Sequence, residues 1–246
     1  MFRHDGPSAN PARNWFLAGY LALTAGFVNA GGFVLVGTFT SHVTGSVGRM
    51  AVNVAGFQLA DASFAAIFVL AFFAGAFVAS LIVEWNASRR AVGYGIALAV
   101  EALTLLAFAL LAGVASQLST RAMDQAAILL SFAMGLQNAL VTRLSGAVIR
   151  TTHLTGVVTD LGIEASRWIR GHRVHESTRR TEGRRIVLLA TIAASFTLGA
   201  FLGAMLTFRA SRWAMVAPAV AIAFASGLAF RSHARGESLP PSVRPR

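Results

Sequence analysis

Residues 63–85 read SFAAIFVLAFFAGAFVASLIVEW. The run is apolar from end to end, and Glu84 beside the closing Trp85 is its only acid. Wound as an α-helix it rises about 1.5 Å per residue, enough to cross about 30 Å of hydrocarbon. Five more stretches of this kind flank it, at 14–36, 92–114, 123–141, 186–208 and 213–230. Trp15, Trp85 and Trp213 stand at their ends, where an amphipathic ring favours the headgroup layer. The stretches predict an all-α polytopic membrane protein of about six transmembrane helices.

The remainder of the composition agrees. Apolar residues make up 55% of the 246-residue chain and charged residues 13%, where a soluble domain carries about 25% charge. So few charges would leave large apolar patches open to water. The chain has no cysteine, which excludes disulfides, thiol chemistry and cysteine metal sites. Its net charge of +11 comes from 21 basic residues, all of them arginine. A basic soluble protein would suggest nucleic acid. Here the arginines flank the apolar runs, the pattern of the positive-inside rule, so no nucleic-acid partner is expected. With the N-terminus inside, only Arg49, Arg121, Arg209 and Arg212 fall outside. The expected location is a bacterial inner membrane, multi-pass, with both termini cytoplasmic and the lipid bilayer as the surrounding partner.

The chain repeats itself. Ala25-Gly26-Phe27-Val28-Asn29-Ala30 pairs with Met134-Gly135-Leu136-Gln137-Asn138-Ala139. Thr40-Ser41-His42-Val43-Thr44-Gly45 pairs with Thr151-Thr152-His153-Leu154-Thr155-Gly156, and Gly75-Ala76-Phe77-Val78-Ala79 with Gly199-Ala200-Phe201-Leu202-Gly203. Three spans per copy is an odd number, so the second copy is inverted relative to the first. The expected organisation is a cytoplasmic segment 1–13, a first copy 14–114, a second copy 122–230, and a disordered cytoplasmic tail 231–246. The repeat also bears on the N-terminus. Arg3 and Arg13 ahead of an apolar run, with Val28-Asn29-Ala30 behind it, resemble a cleaved signal peptide. The same Asn-Ala pair recurs at Asn138-Ala139, where no signal peptidase acts, so residues 14–36 are read as a retained first helix.

These blocks carry a resemblance. Met134–Ala139 (MGLQNA) and Arg150–Gly156 (RTTHLTG), with their first-half counterparts, resemble the YoaK family of bacterial inner-membrane proteins, a domain-of-unknown-function family with six predicted transmembrane helices. The resemblance runs from about residue 18 to 230. It implies fold and location but supplies no substrate. Relatives often carry Asp where this chain has Asn29, and Asn where it has Ser46. If that acid binds a proton or cation in relatives, this copy lacks the group.

Two polar segments, 38–56 and 145–168, follow the first span of each copy and are too polar for ordinary lipid-facing spans. They read either as re-entrant half-helices or as surface segments. Thr40, Ser41, His42, Thr44 and Gly45, with Thr151, Thr152, His153, Thr155 and Gly156, are the candidate substrate-binding residues, joined by Asn29 and Asn138. Half-helices starting near Thr40 and Thr151 would face each other and aim free N–H groups at a small polar or anionic solute. Helix–helix glue is the competing reading of the same residues. Glu101 and Asp160 are acids within or near spans and Arg150 a basic residue beside them. They are candidates for proton or ion coupling, or for ion pairs; Glu101 could pair with Arg49, Arg143 or Arg150. His42 and His153 lack the carboxylates of a metal site, so no metal and no cofactor are expected. The Gly199-x-x-x-Gly203 and Gly75-x-x-x-Ala79 faces predict close packing between the copies, the alternative being a contact between two chains in a homo-oligomer. The arginine-rich stretch 167–185 reads as a cytoplasmic loop. No hydrolase, protease, P-loop or dinucleotide motif is present, so no enzyme is expected. The sequence predicts a secondary transporter, with a scaffold or sensor acting through the basic stretch as the alternative.

Overall fold

A computed structural model describes residues 11–144, 154–170 and 176–234. It contains eight α-helices: α1 (Pro11–Val36), α2 (Val43–Ala55), α3 (Leu59–Trp85), α4 (Arg90–Leu118), α5 (Thr120–Leu144), α6 (Leu154–Arg170), α7 (Glu176–Ala210) and α8 (Val216–Ala234). Among the described residues there is no strand. Five helical stretches are long and apolar enough to cross a membrane: Ala18–Val36, Leu59–Trp85, Ala87–Leu118, Arg121–Arg143 and Ile186–Ala234.

The last stretch is 49 residues long and contains two of the expected spans. A 3-10 turn, Ser211–Met215, divides it, and Ser211 opens the turn in the left-handed region at φ 51°. Beyond the turn α8 runs back along α4. Ser226 near its end donates to the carbonyl of Gly95 near the start of α4 (2.7 Å), and Arg212 before it lies over Gly113 near the end of α4. Helix α7 has 35 residues, about 52 Å at helical rise, more than the hydrocarbon thickness. Its first turns take in residues 176–185 of the basic stretch, which is therefore helical there and not a loop; residues 171–175 lie outside the described part. Residues 231–234 of the expected tail are likewise helical, and 235–246 lie outside it.

Large apolar side chains point outward along the long helices: Leu70, Phe73 and Phe77 on α3, Leu103 and Leu110 on α4, Phe201 and Phe208 on α7. Small residues point inward and set the packing. A methyl built on Gly26 of α1 would overlap the carbonyl of Phe196 in α7, and one on Gly199 would overlap that of Leu23. The same relation joins Gly75 of α3 to Phe132 and Gly135 of α5 to Phe72. Gly203 meets Phe27 in the same way. Each helix therefore crosses its partner backbone to backbone. Four of these five, Gly26, Gly75, Gly135 and Gly199, are glycines that align in the sequence repeat. In each crossing, the first span of one copy meets a span of the other copy within one chain.

The contacts also fix directions. Along α1 and α7, Gly19 meets Thr191 and Gly31 meets Thr207, so the two are parallel. α3 and α5 are parallel as well, since Ser131 bonds Phe68 and Arg143 bonds Glu84. α1 and α5 are antiparallel: Gln137 donates to Thr24 (2.8 Å) and to the Leu21 carbonyl (3.1 Å), whereas Gly32 faces Leu130. α2 packs on α3 and α6 on α7.

Gly26→Ala and Gly135→Ala should each cost at least about 1–3 kcal/mol, because the helices must separate to admit a methyl. Gly227→Ala, with open space around the added carbon, should leave stability unchanged or slightly raised. Thermal unfolding of the detergent-solubilised protein measures both. Equal melting of all three variants would contradict the packing described.

Candidate functional site

Gly37 ends α1 with φ 73°, the left-handed residue that stops a helix, and its N–H donates to the Phe33 carbonyl (2.7 Å). The chain then doubles back along α1. Phe39 stacks on Phe33 with ring centres 4.4 Å apart, and His42 stacks on Phe39 at 5.0 Å. Ser41 Oγ donates to Asn29 Oδ1 (2.7 Å), level with a point seven residues, or about 10 Å, short of the end of α1. Ser131 Oγ of α5 sits between the carbonyls of Thr40 (2.9 Å) and Phe68 (2.8 Å) and is shared between them. Thr40, Ser41, Asn29 and Ser131 are all buried. Residues 40 and 41 thus dip into the bundle, and α2, none of whose residues is buried, packs back along α3.

The half-helix starts later than expected. Its first residue is Val43, and His42 is the cap residue without a side-chain capping bond. Ser41 does not cap it because its hydroxyl is engaged by Asn29, while Ser131 binds the Thr40 carbonyl and leaves the Thr40 hydroxyl free. Partial burial lowers the pKa of His42 below the ordinary 6.5. Thr44 and Gly45 are exposed on α2, away from the buried node. Thr40 Oγ1 is buried with no hydrogen-bond partner. In the second copy, Arg150, Thr151, Thr152 and His153 lie outside the described residues. Thr155 is exposed and Gly156 half-buried on α6. Asn138 is half-buried, and Asp160 is engaged by other groups. Since α1 and α5 are antiparallel, α2 and α6 lie at opposite ends of the bundle.

Two cavities lie along the α3–α5 pair. One, of about 270 Å³, is bounded by α2, α3 and α5 and lined by Arg49, Asp61, Phe64, Phe68, Arg121 and Asp124. Asp124 is within electrostatic reach of Arg49 and Asp61. Among the described residues no ion pair joins these four charges. Arg49 Nη1 donates instead to Thr38 Oγ1 (3.0 Å). The second, a shallow surface groove of about 300 Å³, is lined by Ala76, Ser80, Asn138, Ala139, Thr142 and Arg143. Arg143 bridges from there to Glu84 (2.7 Å). The Gly75–Gly135 crossing separates the two cavities. Sequence reasoning missed Asp61, Arg121 and Ser131 as site residues. The signal for the first two was opposite charge placed just before two apolar runs at the same end.

Glu101 of α4 is fully buried (0% exposed), and neither carboxylate oxygen has a partner. The ion pairs expected with Arg49 and Arg143 do not form, since those groups bind Thr38 and Glu84. Among the described residues no cluster of three metal-ligating side chains exists.

Residues 17–228 match a family model described as a protein of unknown function, DUF1275. The chain belongs to the DUF1275 family. Neither a curated protein nor a solved structure matches the chain. In this DUF1275 chain the matched region takes in every crossing glycine and both cavities.

Removing either partner of the buried Ser41–Asn29 bond should cost about 1–3 kcal/mol. Ser41→Ala and Asn29→Ala combined should cost less than the sum by about 1 kcal/mol. A double-mutant cycle on thermal stability reads this, and strict additivity would contradict the contact.

Proposed function

We propose that this chain is a secondary transporter of a small polar or anionic solute. On this reading it is built from two inverted three-span repeats in a bacterial inner membrane, as in the YoaK proteins it resembles, and both termini are cytoplasmic. It is a carrier and not an enzyme.

The observation that carries the proposal is the pair of cavities at opposite ends of one α3–α5 crossing. A path along that interface would open to one side past Arg49 and Arg121 and to the other past Asn138 and Arg143. The glycine crossing between the two acts as the barrier. Arginines in the first cavity suit a carboxylate or phosphate, and Asp61 and Asp124 would accept an ammonium group. The parallel and antiparallel directions of the helices support the inversion: α1 and α7 run one way, α3 and α5 the other, and α8 reverses α4. The turn at Ser211, which divides the 49-residue stretch, supports a count of six spans. The dip of residues 38–42 into the bundle supports a re-entrant half-helix.

A thermal-shift screen tests the reading. The probes are glycine, glutamate, citrate and inorganic phosphate, applied to the purified protein, its Arg121→Ala variant and its Thr44→Ala variant. A ligand at 100 times its Kd stabilises by about 2.7 kcal/mol. The expected result is a shift with at least one probe, lost in Arg121→Ala and kept in Thr44→Ala. No shift with any probe, while both variants melt normally, would favour a scaffold or sensor working through the basic stretch 167–185.

A further inference from the structure

We infer that the first cavity takes a zwitterion, a solute with one carboxylate and one ammonium group as in a free amino acid, and not a simple anion. This rests on the transport reading above and names the substrate class of that site.

The cavity lies at the end of the bundle where α3 and α5 both begin, with α2 packed against α3. Four charges line it: Arg49 from α2, Asp61 from α3, and Arg121 and Asp124 from α5. Two are positive and two negative, so the fixed charge of the lining sums to zero. Among the described residues none of the four pairs with another. Asp124 is nonetheless within electrostatic reach of both Arg49 and Asp61. Opposite charges gathered around one opening without closing on each other leave both signs to a ligand.

The arginines stand there at a cost. Arg121 is the second residue of α5, where the helix dipole disfavours a cation. Asp61, in the first turn of α3, stands at the favourable end of its own helix. The dipole therefore accounts for that acid and not for Arg121. Arg49 and Arg121 are also two of only four arginines on the outer side in the orientation proposed above, against the positive-inside bias.

The lining discriminates between solutes. Phosphate or citrate brings several negative charges toward Asp61 and Asp124 and gains from the arginines alone. A bare amine meets the reverse. A zwitterion sets its carboxylate against a guanidinium, which can bind both oxygens at once, and its ammonium against an aspartate. The volume of about 270 Å³ falls just under the range of about 300–1,000 Å³ for drug-sized ligands, so the solute is a small one. Phe64 and Phe68 supply an apolar part of the wall, where a short aliphatic side chain would lie.

The test compares glycine with its two halves, acetate and methylamine, and with inorganic phosphate. Each is titrated against the full chain in detergent at pH 7 and constant ionic strength, with thermal shift as the readout. The expected Kd for glycine is at least about tenfold below that of each other probe, since each of those lacks one charge-assisted contact. Arg121→Gln and Asp124→Asn should each weaken glycine by at least about tenfold. Acetate or phosphate binding as tightly as glycine would make this an anion site, and methylamine doing so a cation site. Either result overturns the inference and leaves the transport reading standing. Glycine binding untouched by both substitutions would place its site elsewhere and also overturn the inference. So would no binding by any of the four, and the transport reading falls with it only if glutamate and citrate are silent too. The comparison of probes on the native protein needs no variant, so a variant that fails to fold does not obscure it.

Discussion

Backbone-to-backbone contact at four glycines holds this bundle together. In hydrocarbon there is no hydrophobic drive for helices to associate, so close packing and polar contacts must supply it. Gly26 against Phe196, Gly199 against Leu23, Gly75 against Phe132 and Gly135 against Phe72 do this without a side chain between the helices. A consequence is that neither half of the sequence packs by itself. The first span of each copy is bound to a span of the other, and the copies are interlocked.

The interlock also places the polar groups. Because α1 and α5 are antiparallel, the Asn29 and Asn138 ends of the bundle are different ends. Asn29 anchors the returning chain at Ser41, and Ser131 joins that return to α5 and α3. Gln137 spans from α5 to α1 on the opposite side of the crossing. The polar side chains inside are therefore mostly engaged as struts. Buried groups without a partner include Thr40 Oγ1, Thr207 Oγ1 and the Glu101 carboxylate.

Much of the frame was legible in the sequence. Apolar run length located α1, α3, α4 and α5 to within a few residues, and the paired blocks pointed to the glycines that cross. Five apolar stretches and membership in a family of unknown function are in keeping with a multi-pass membrane protein. The boundary of α2 was not legible, because Thr and Ser favour helix caps only when nothing else binds them. Here Asn29 takes the Ser41 hydroxyl and Ser131 the Thr40 carbonyl, from positions that hydropathy alone cannot relate to residue 40. The exposed Thr44, Gly45 and Thr155 carry a sequence pattern without a buried role in the described structure. The first cavity drew no notice because Arg49, Asp61, Arg121 and Asp124 are far apart in the chain and look singly like interface charges.

The account depends most directly on α2 and α6 lying on opposite sides of the membrane. The chain has no native cysteine, so single cysteines can be placed at Gly48 on α2 and Gly162 on α6, both of which have open space around them. Labelling intact cells and inside-out vesicles with a membrane-impermeant maleimide reads the side of each. The account predicts that Gly48→Cys labels only from the outer face and Gly162→Cys only from the inner face. Labelling of both from one face would contradict the inverted arrangement.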